Sequence, residues 1–212
     1  MESVTVLDHP LAGNFLCTLR NKETRTEEFR MAMEKLGLLL AIEATRDLPT
    51  EPETVVTPLE VEAVCPTVKG RCVALVPILR AGLGFVNSFH NILPAAKVAH
   101  IGVARDHVTF EARTYLNTLP ENNGEYRRIF VLDPMLATGN SSVSALKLII
   151  EKGYSPNIIT LVTALSVMEG IDHVKKEFPD IKIITGVIDP YLNDKAYIVP
   201  GLGDAGDRLN LL

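Results

Sequence analysis

Tryptophan is absent from this 212-residue chain, aromatic residues reach only 6%, and the five tyrosines are scattered. A platform of stacked rings for single-stranded nucleic acid is therefore not expected. Positive charge is also short: 21 Lys and Arg stand against 26 Asp and Glu, a formal net charge of -5. No general field draws nucleic acid or a membrane surface, so an anionic ligand has to be held by a local site. The three cysteines, Cys17, Cys65 and Cys72, form no CxxC pair and leave an odd thiol over. That is the usage of a reduced cytosolic chain and not of a disulfide scaffold. His9, His90, His100, His107 and His173 show no HExxH or other ligand spacing, which points to structural or surface roles over a metal site. No run approaches the ~18 apolar residues of a membrane span. The opening "MESVTVLDHP" has neither a basic region nor a long apolar stretch, so a cytoplasmic protein is expected. There is no internal repeat, low-complexity segment or linker.

What is present is ordinary globular composition, 47% hydrophobic and 22% charged, at a length that suits one domain. The expected organisation is a single domain over 1–212, with 1–70 as an N-terminal helical extension and hairpin arm and 71–212 as core and C-terminal tail. Thr24 and Glu27 form a candidate capping box ahead of Phe29, Met33, Leu36 and Leu40 at helical spacing, which predicts a packing helix. "PTEPETVVTPLEVEAVCP" is broken by four prolines and alternates at Leu59, Val61 and Ala63, a pattern for a β-hairpin or edge strands outside the central sheet.

From Arg71 the pattern changes. Short apolar runs at 72–78, 97–103, 128–133, 158–164 and 181–188 alternate with helical stretches near 82–91, 141–152 and 169–178. Such runs read as buried parallel strands, and repeated βα units predict a doubly wound, mainly parallel α/β sheet flanked by helices. Ligands in such sheets bind at the carboxyl ends of the strands.

Four segments after strands stand out. In "VPILRAGLGF", Arg80 precedes small residues at a helix start, suited to an anion; an arginine on a solvated turn is the alternative. "VARDHVTFEARTYLNTLP", 103–120, carries Arg105, Asp106, Glu111 and Arg113 and reads either as a lid or as a plain surface hairpin. In "IFVLDPMLATGNSS", 129–142, a strand ends on Asp133 and turns through small, hydroxyl-bearing residues into a helix capped by Ser141 or Ser142. Amides of that turn, with hydroxyls of Thr138, Ser141 and Ser142, suit a phosphate, while the acid beside them suits a sugar's hydroxyls. Asn140 tolerates the left-handed backbone such a turn requires. The lysine and spacing of a P-loop are missing. Finally, "YIVPGLGDAGDRLNLL" contains GxGxxG at 201–206 without the helix and distant acid of a dinucleotide fingerprint. A backbone wrapped round a small ligand explains it better, a simple turn less well.

Together, "VPILRAGLG", "VLDPMLATG", the C-terminal "YIVPGLGDAGDR" and the early "HPL" and "EATRDL" resemble the uracil phosphoribosyltransferases, a branch of the type I phosphoribosyltransferase fold, over nearly the whole chain. The resemblance implies a reaction of uracil with 5-phosphoribosyl 1-diphosphate (PRPP) that yields uridine monophosphate and diphosphate, with Mg2+ bound largely through substrate oxygens. It also implies a homodimer or higher homo-oligomer, guanosine triphosphate (GTP) as an effector in some members, and no nucleic-acid or membrane partner. On this resemblance Arg80 corresponds to the pyrophosphate-loop arginine and Arg105 to the arginine at the base of the lid. Asp133, Pro134, Met135, Leu136, Ala137, Thr138, Gly139, Asn140 and Ser141 correspond to the PRPP-binding loop, with the acid at the ribose hydroxyls and 137–141 at the 5′-phosphate. Ile198, Gly203, Asp204 and Ala205 correspond to the uracil-binding tail, Asp204 also touching PRPP; Arg105, Asp133 and Asp204 form the implied catalytic set. The chain departs from the family at Val108, Ala112 and Thr118 in the lid, at Met168, at Pro190-Tyr191 and at its final "NLL". A catalytically weak relative that senses uracil, nucleotide or PRPP is the alternative, and a dinucleotide-binding module a remote third.

Overall fold

The computed structural model describes residues 4–105 and 112–210. The chain begins with strand β1 (Val4–Val6) and helices α1 (Pro10–Arg20) and α2 (Thr26–Ala44). A separate antiparallel hairpin follows, β2 (Glu51–Val56) with β3 (Glu62–Thr67). Next come β4 (Val73–Leu79), α3 (Leu83–Ile92), β5 (Lys97–Val98), β6 (Ile101–Arg105) and β7 (Ala112–Asn117). The chain continues through β8 (Arg128–Leu132), β9 (Met135–Leu136), α4 (Asn140–Glu151), β10 (Ile159–Val167), α5 (Met168–Glu177) and β11 (Lys182–Asp189). It ends in the short pair β12 (Tyr191–Leu192) and β13 (Ile198–Val199) and helix α6 (Ala205–Arg208).

The main sheet runs β1-β11-β10-β8-β4-β6-β7, with β5 beside β4 and β9 beside β10. Its pairings are parallel except β6 with β7. The period-2 geometry of a strand sends alternate side chains to opposite faces, and both faces are covered. Phe130 and Leu132 of β8 pack against Phe29, Met33 and Leu36 of α2 and Phe85 and Phe89 of α3. Ile129 and Val131 pack against Val143, Leu146 and Ile149 of α4 and Ile171 and Val174 of α5. Each fully buried side chain of this size contributes ~1.5–3 kcal/mol relative to leaving it exposed. This is the mainly parallel, doubly wound sheet the apolar runs predict. Among the described residues no helix is long and apolar enough to cross a membrane.

Three details differ from the sequence expectation, and a fourth bears on a choice it left open. First, the segment before residue 70 is not wholly outside the sheet, because β1 lies parallel to β11 with Val4 opposite Ile183. Three residues offer no period to detect. Second, α1 was not anticipated, although Pro10 occupies its first turn, His9 Nδ1 accepts from the Leu11 N–H at 3.2 Å, and Ala12, Leu16 and Leu19 are buried at helical spacing. Third, Thr24 does not cap α2: its hydroxyl donates to the Thr18 carbonyl at 2.7 Å. The cap is Arg25, whose N–H and guanidinium donate to Glu28 at 3.4 and 3.0 Å. Fourth, of the two readings of 103–120, a hairpin is what its described ends form, β6 against β7. Thr118 fastens its base, its hydroxyl accepting from the His100 N–H at 2.7 Å; Asp106, Val108 and Glu111 lie outside the described residues, as do the side chains of Arg105 and Ala112.

The turn between β12 and β13 carries a measurable strain. Asn193 Oδ1 accepts from the N–H groups of Lys195 and Tyr197, both at 3.0 Å, and between them Ala196 is left-handed at φ 60. An L-residue there costs roughly 1 kcal/mol that glycine avoids. Ala196→Gly is expected to raise the melting temperature by roughly 2–4 °C, read by calorimetry.

Candidate functional site

Three backbone segments meet at the carboxyl ends of the sheet strands. The first leaves β4. The Leu79–Arg80 peptide is cis, Arg80 is exposed, and Ala81 and Gly82 lead into α3.

The second is the loop from β8 to α4, which is stitched to β10 before it turns. The Asp133 N–H donates to the Val162 carbonyl at 3.1 Å, and the Pro134 carbonyl accepts from both Ala164 and Leu165 at 3.0 Å. Gly139 then turns left-handed at φ 82, and Asn140 is the first helical residue. Gly139, not Asn140, therefore supplies the left-handed position and the helix cap. From below, the loop rests on α5 so closely that a Cβ on Gly170 would lie 2.2 Å from the Ala137 carbonyl oxygen. His173 Nδ1 lies 2.8 Å from the Thr138 carbonyl oxygen.

Asp133 is 9% exposed and accepts from the Ser142 hydroxyl at 3.0 Å and from the Met135 N–H at 3.4 Å. Burial pushes its carboxyl from 3.8 up to about 6, and the two hydrogen bonds offset only part of that rise. Desolvation penalises the charged form. The Ser142 hydroxyl, expected on the phosphate, is thus committed to the acid.

The third segment is the tail. Arg20 grips Asp189 in a fork, Nη2 to Oδ1 at 2.6 Å and Nη1 to Oδ2 at 2.8 Å. Asp189 Oδ2 also accepts from the Gly201 N–H at 3.0 Å, and Arg20 Nη1 donates to the Gly201 carbonyl at 2.9 Å. Further along, Arg208 lies 4.3 Å over the Phe29 ring and donates to the carbonyls of Leu202 at 2.9 Å, Asn21 at 2.7 Å and Leu19. Asp204 caps α6 by accepting from the Asp207 N–H at 2.9 Å. With four residues, α6 offers no long helix behind the GxGxxG, which leaves the dinucleotide reading without its structural context.

These segments enclose two adjoining cavities. One, of about 370 Å³, has Ala137, Thr138, Asn140 and Ser141 on one wall and Ile198, Gly203, Asp204, Ala205 and Gly206 on the other. The second, of about 180 Å³, is lined by Arg80, Asp133, Gly139 and the same loop residues. Ala81, Met135 and residues 137, 138, 140 and 141 border both, so the loop is their common wall. Pro134 and Leu136 line neither: the first is spent on β10 and the second is fully buried on the α4 side. Sequence reasoning missed Ser142, Gly170 and His173 as supports of the loop, and Arg20 and Asp189 as supports of the tail. Only the glycine after a strand end offered a local signal.

The model of the family described as uracil phosphoribosyltransferase matches residues 6–210. The chain belongs to that family. It is 44% identical to a uracil phosphoribosyltransferase of Agrobacterium fabrum over 209 residues, 99% of this chain and 98% of the relative. It is 43% identical to one of Levilactobacillus brevis, again over 209 residues, with the same coverage. The structure of the AQ2163 protein from Aquifex aeolicus is similar at a TM-score of 0.89 and 36% identity, covering 97% of both chains. In this member of the uracil phosphoribosyltransferase family, the β8–α4 loop, Arg80 and the tail thus border two adjoining cavities.

The buried acid has a stability consequence. The folded carboxyl, at about 6, holds its proton more tightly than an unfolded one at 3.8. The stability due to the neutral acid is full below the unfolded value and is lost as pH rises through the folded value, a loss of at most ~3 kcal/mol. Asp133→Asn keeps the acceptor for Met135 and removes the charge. It is expected to melt several degrees above the parent at pH 8, with the gap closing toward pH 4; a constant gap would show that the acid is not desolvated.

Proposed function

We propose that this chain is a pentosyltransferase that transfers the phosphoribosyl group of PRPP to uracil, giving uridine monophosphate and diphosphate. The observation that supports it most is the cleft's construction. A phosphate-type loop and a backbone frame suited to a flat base face each other across one cavity, and a buried acid lies beside the loop.

In this reading the amides and hydroxyls of residues 137–141 hold the 5′-phosphate. Asp133 accepts from the ribose hydroxyls. As the bond from the ribose to the diphosphate breaks, positive charge develops on the ring, and an ionised acid in a dry site stabilises it more than it would in water. Arg80 and Arg105 hold the leaving diphosphate. The backbone of Ile198 and of residues 203–205 pairs with the edge of uracil; cytosine, with its donor and acceptor exchanged, would leave those groups unpaired.

Among the described residues no three His, Cys, Asp or Glu side chains converge. The carboxylates at the cleft, Asp133 and Asp204, fit a magnesium ion carried mainly on substrate oxygens, either of them adding an oxygen ligand. When bound, the ion neutralises charge on the diphosphate. A cytoplasmic location, a homo-oligomer and GTP as an effector belong to the same reading. Exposed Val56, Leu59, Val61 and Val64 on the β2–β3 hairpin support the assembly; sedimentation with and without GTP tests both.

The deciding assay offers uracil, cytosine, hypoxanthine and orotate with PRPP and magnesium. Product from uracil alone is expected, and none from uracil would overturn the proposal. Asp204→Ala and Arg105→Ala are each expected to slow uridine monophosphate formation at least tenfold, ~1.4 kcal/mol of barrier or more. Because Asp133 must be ionised to act, kcat/KM is expected to fall as pH drops through about 6; a flat profile down to pH 5 would remove it from the role.

A further inference from the structure

We infer that His173 is a positioning residue for the phosphate-binding loop, its Nδ1–H pinning the Thr138 carbonyl so that the next amide faces the cleft. The inference rests on the reading of residues 137–141 as the cradle of a sugar phosphate, and it adds a residue that lines neither cavity.

The geometry supports it in three steps. A carbonyl oxygen only accepts, so the 2.8 Å contact requires the proton on Nδ1 of His173. The Thr138–Gly139 peptide is trans, since neither cis peptide of the described chain falls there. In a trans peptide the C=O and N–H point in opposite directions. With its carbonyl turned to α5, the Gly139 N–H is directed away from α5. Among the described residues the N–H groups of Gly139, Asn140 and Ser141 find no acceptor of their own.

The same peptide is the weakest point of the cradle. Rotating it by half a turn takes Gly139 from φ 82 to a negative φ that any residue adopts, and glycine tolerates both. The rotated form would aim the Thr138 carbonyl at the bound anion and withdraw one donor. The imidazole discriminates between the two forms, because it bonds only to the first. It is also packed directly beneath: a Cβ on Gly139 would sit 3.4 Å from Nδ1 and 3.0 Å from the Gly170 carbonyl oxygen. Losing a hydrogen bond of this kind lowers the bias toward the competent form about fivefold.

The test compares three variants. In asparagine the amide nitrogen occupies the place of Nδ1, whereas in glutamine it occupies that of Nε2. His173→Leu and His173→Gln are therefore expected to raise KM for PRPP severalfold, up to about fivefold, while kcat stays within twofold, and His173→Asn to stay within twofold of the parent on both. Calorimetric titration with ribose 5-phosphate should rank the proteins in the same order without turnover. A parent protein that neither forms uridine monophosphate nor binds ribose 5-phosphate would defeat the functional reading itself. A parent that does both, with a leucine variant of unchanged KM, would overturn only the role of His173. Should leucine prevent folding, the asparagine and glutamine variants decide, and equal KM values for that pair at matched melting temperatures would sink the inference.

Discussion

Asp189 holds the tail side of the cleft together. Its two carboxylate oxygens receive a forked guanidinium from α1 and an amide from the tail, and the same arginine returns to the tail's carbonyl. At 3% exposure the acid has little water to fall back on. Breaking such a pair from one side leaves an uncompensated buried charge, which typically costs 3–5 kcal/mol. The tail has few other anchors: Arg208 and Arg30 donate to carbonyls at its corners, and Ile198, Leu202, Ala205 and Leu209 fill the core below. Its left-handed glycines are kept in shape by contacts that lie elsewhere in the chain.

The contrast with Asp133 is instructive, because both acids end strands of one sheet at its carboxyl edge. Asp189 is matched by a cation, whereas among the described residues the hydrogen-bond partners of Asp133 are a hydroxyl and a distant amide. The first arrangement makes structure, and the second leaves a desolvated carboxyl at the border of a cavity. One sheet edge thus provides both the rigid frame and the reactive electrostatics, and they are separated by the width of β10.

Much of this was legible locally. The apolar runs at 72–78, 128–133 and 181–188 lie within a residue or two of β4, β8 and β11, because a strand buried on both faces needs uninterrupted apolar side chains. The hairpin was marked by its prolines, and the turn between β8 and α4 by an acid and small residues at a strand end. What stayed hidden is non-local. Arg20 and Asp189 are 169 positions apart, His173 and Thr138 are 35 apart, and no periodicity couples such pairs. Ser142 was misread for a related reason: its spacing suits a phosphate, but its hydroxyl turns back nine positions to Asp133. Asn140 looked like the left-handed residue, yet the glycine beside it adopts that conformation without strain.

The pairing of β1 with β11 has a bearing on how the chain reaches this form. Val4, Thr5 and Val6 find their partners at Ile183, Ile184 and Thr185, so this strand waits during synthesis for one made about 180 positions later. Arg20 waits equally long for Asp189. The βα units between can condense as they appear, but the edge that supports the tail closes late, through contacts of very high sequence separation. A partly synthesised chain can therefore form its β8–α4 loop well before its tail has an anchor.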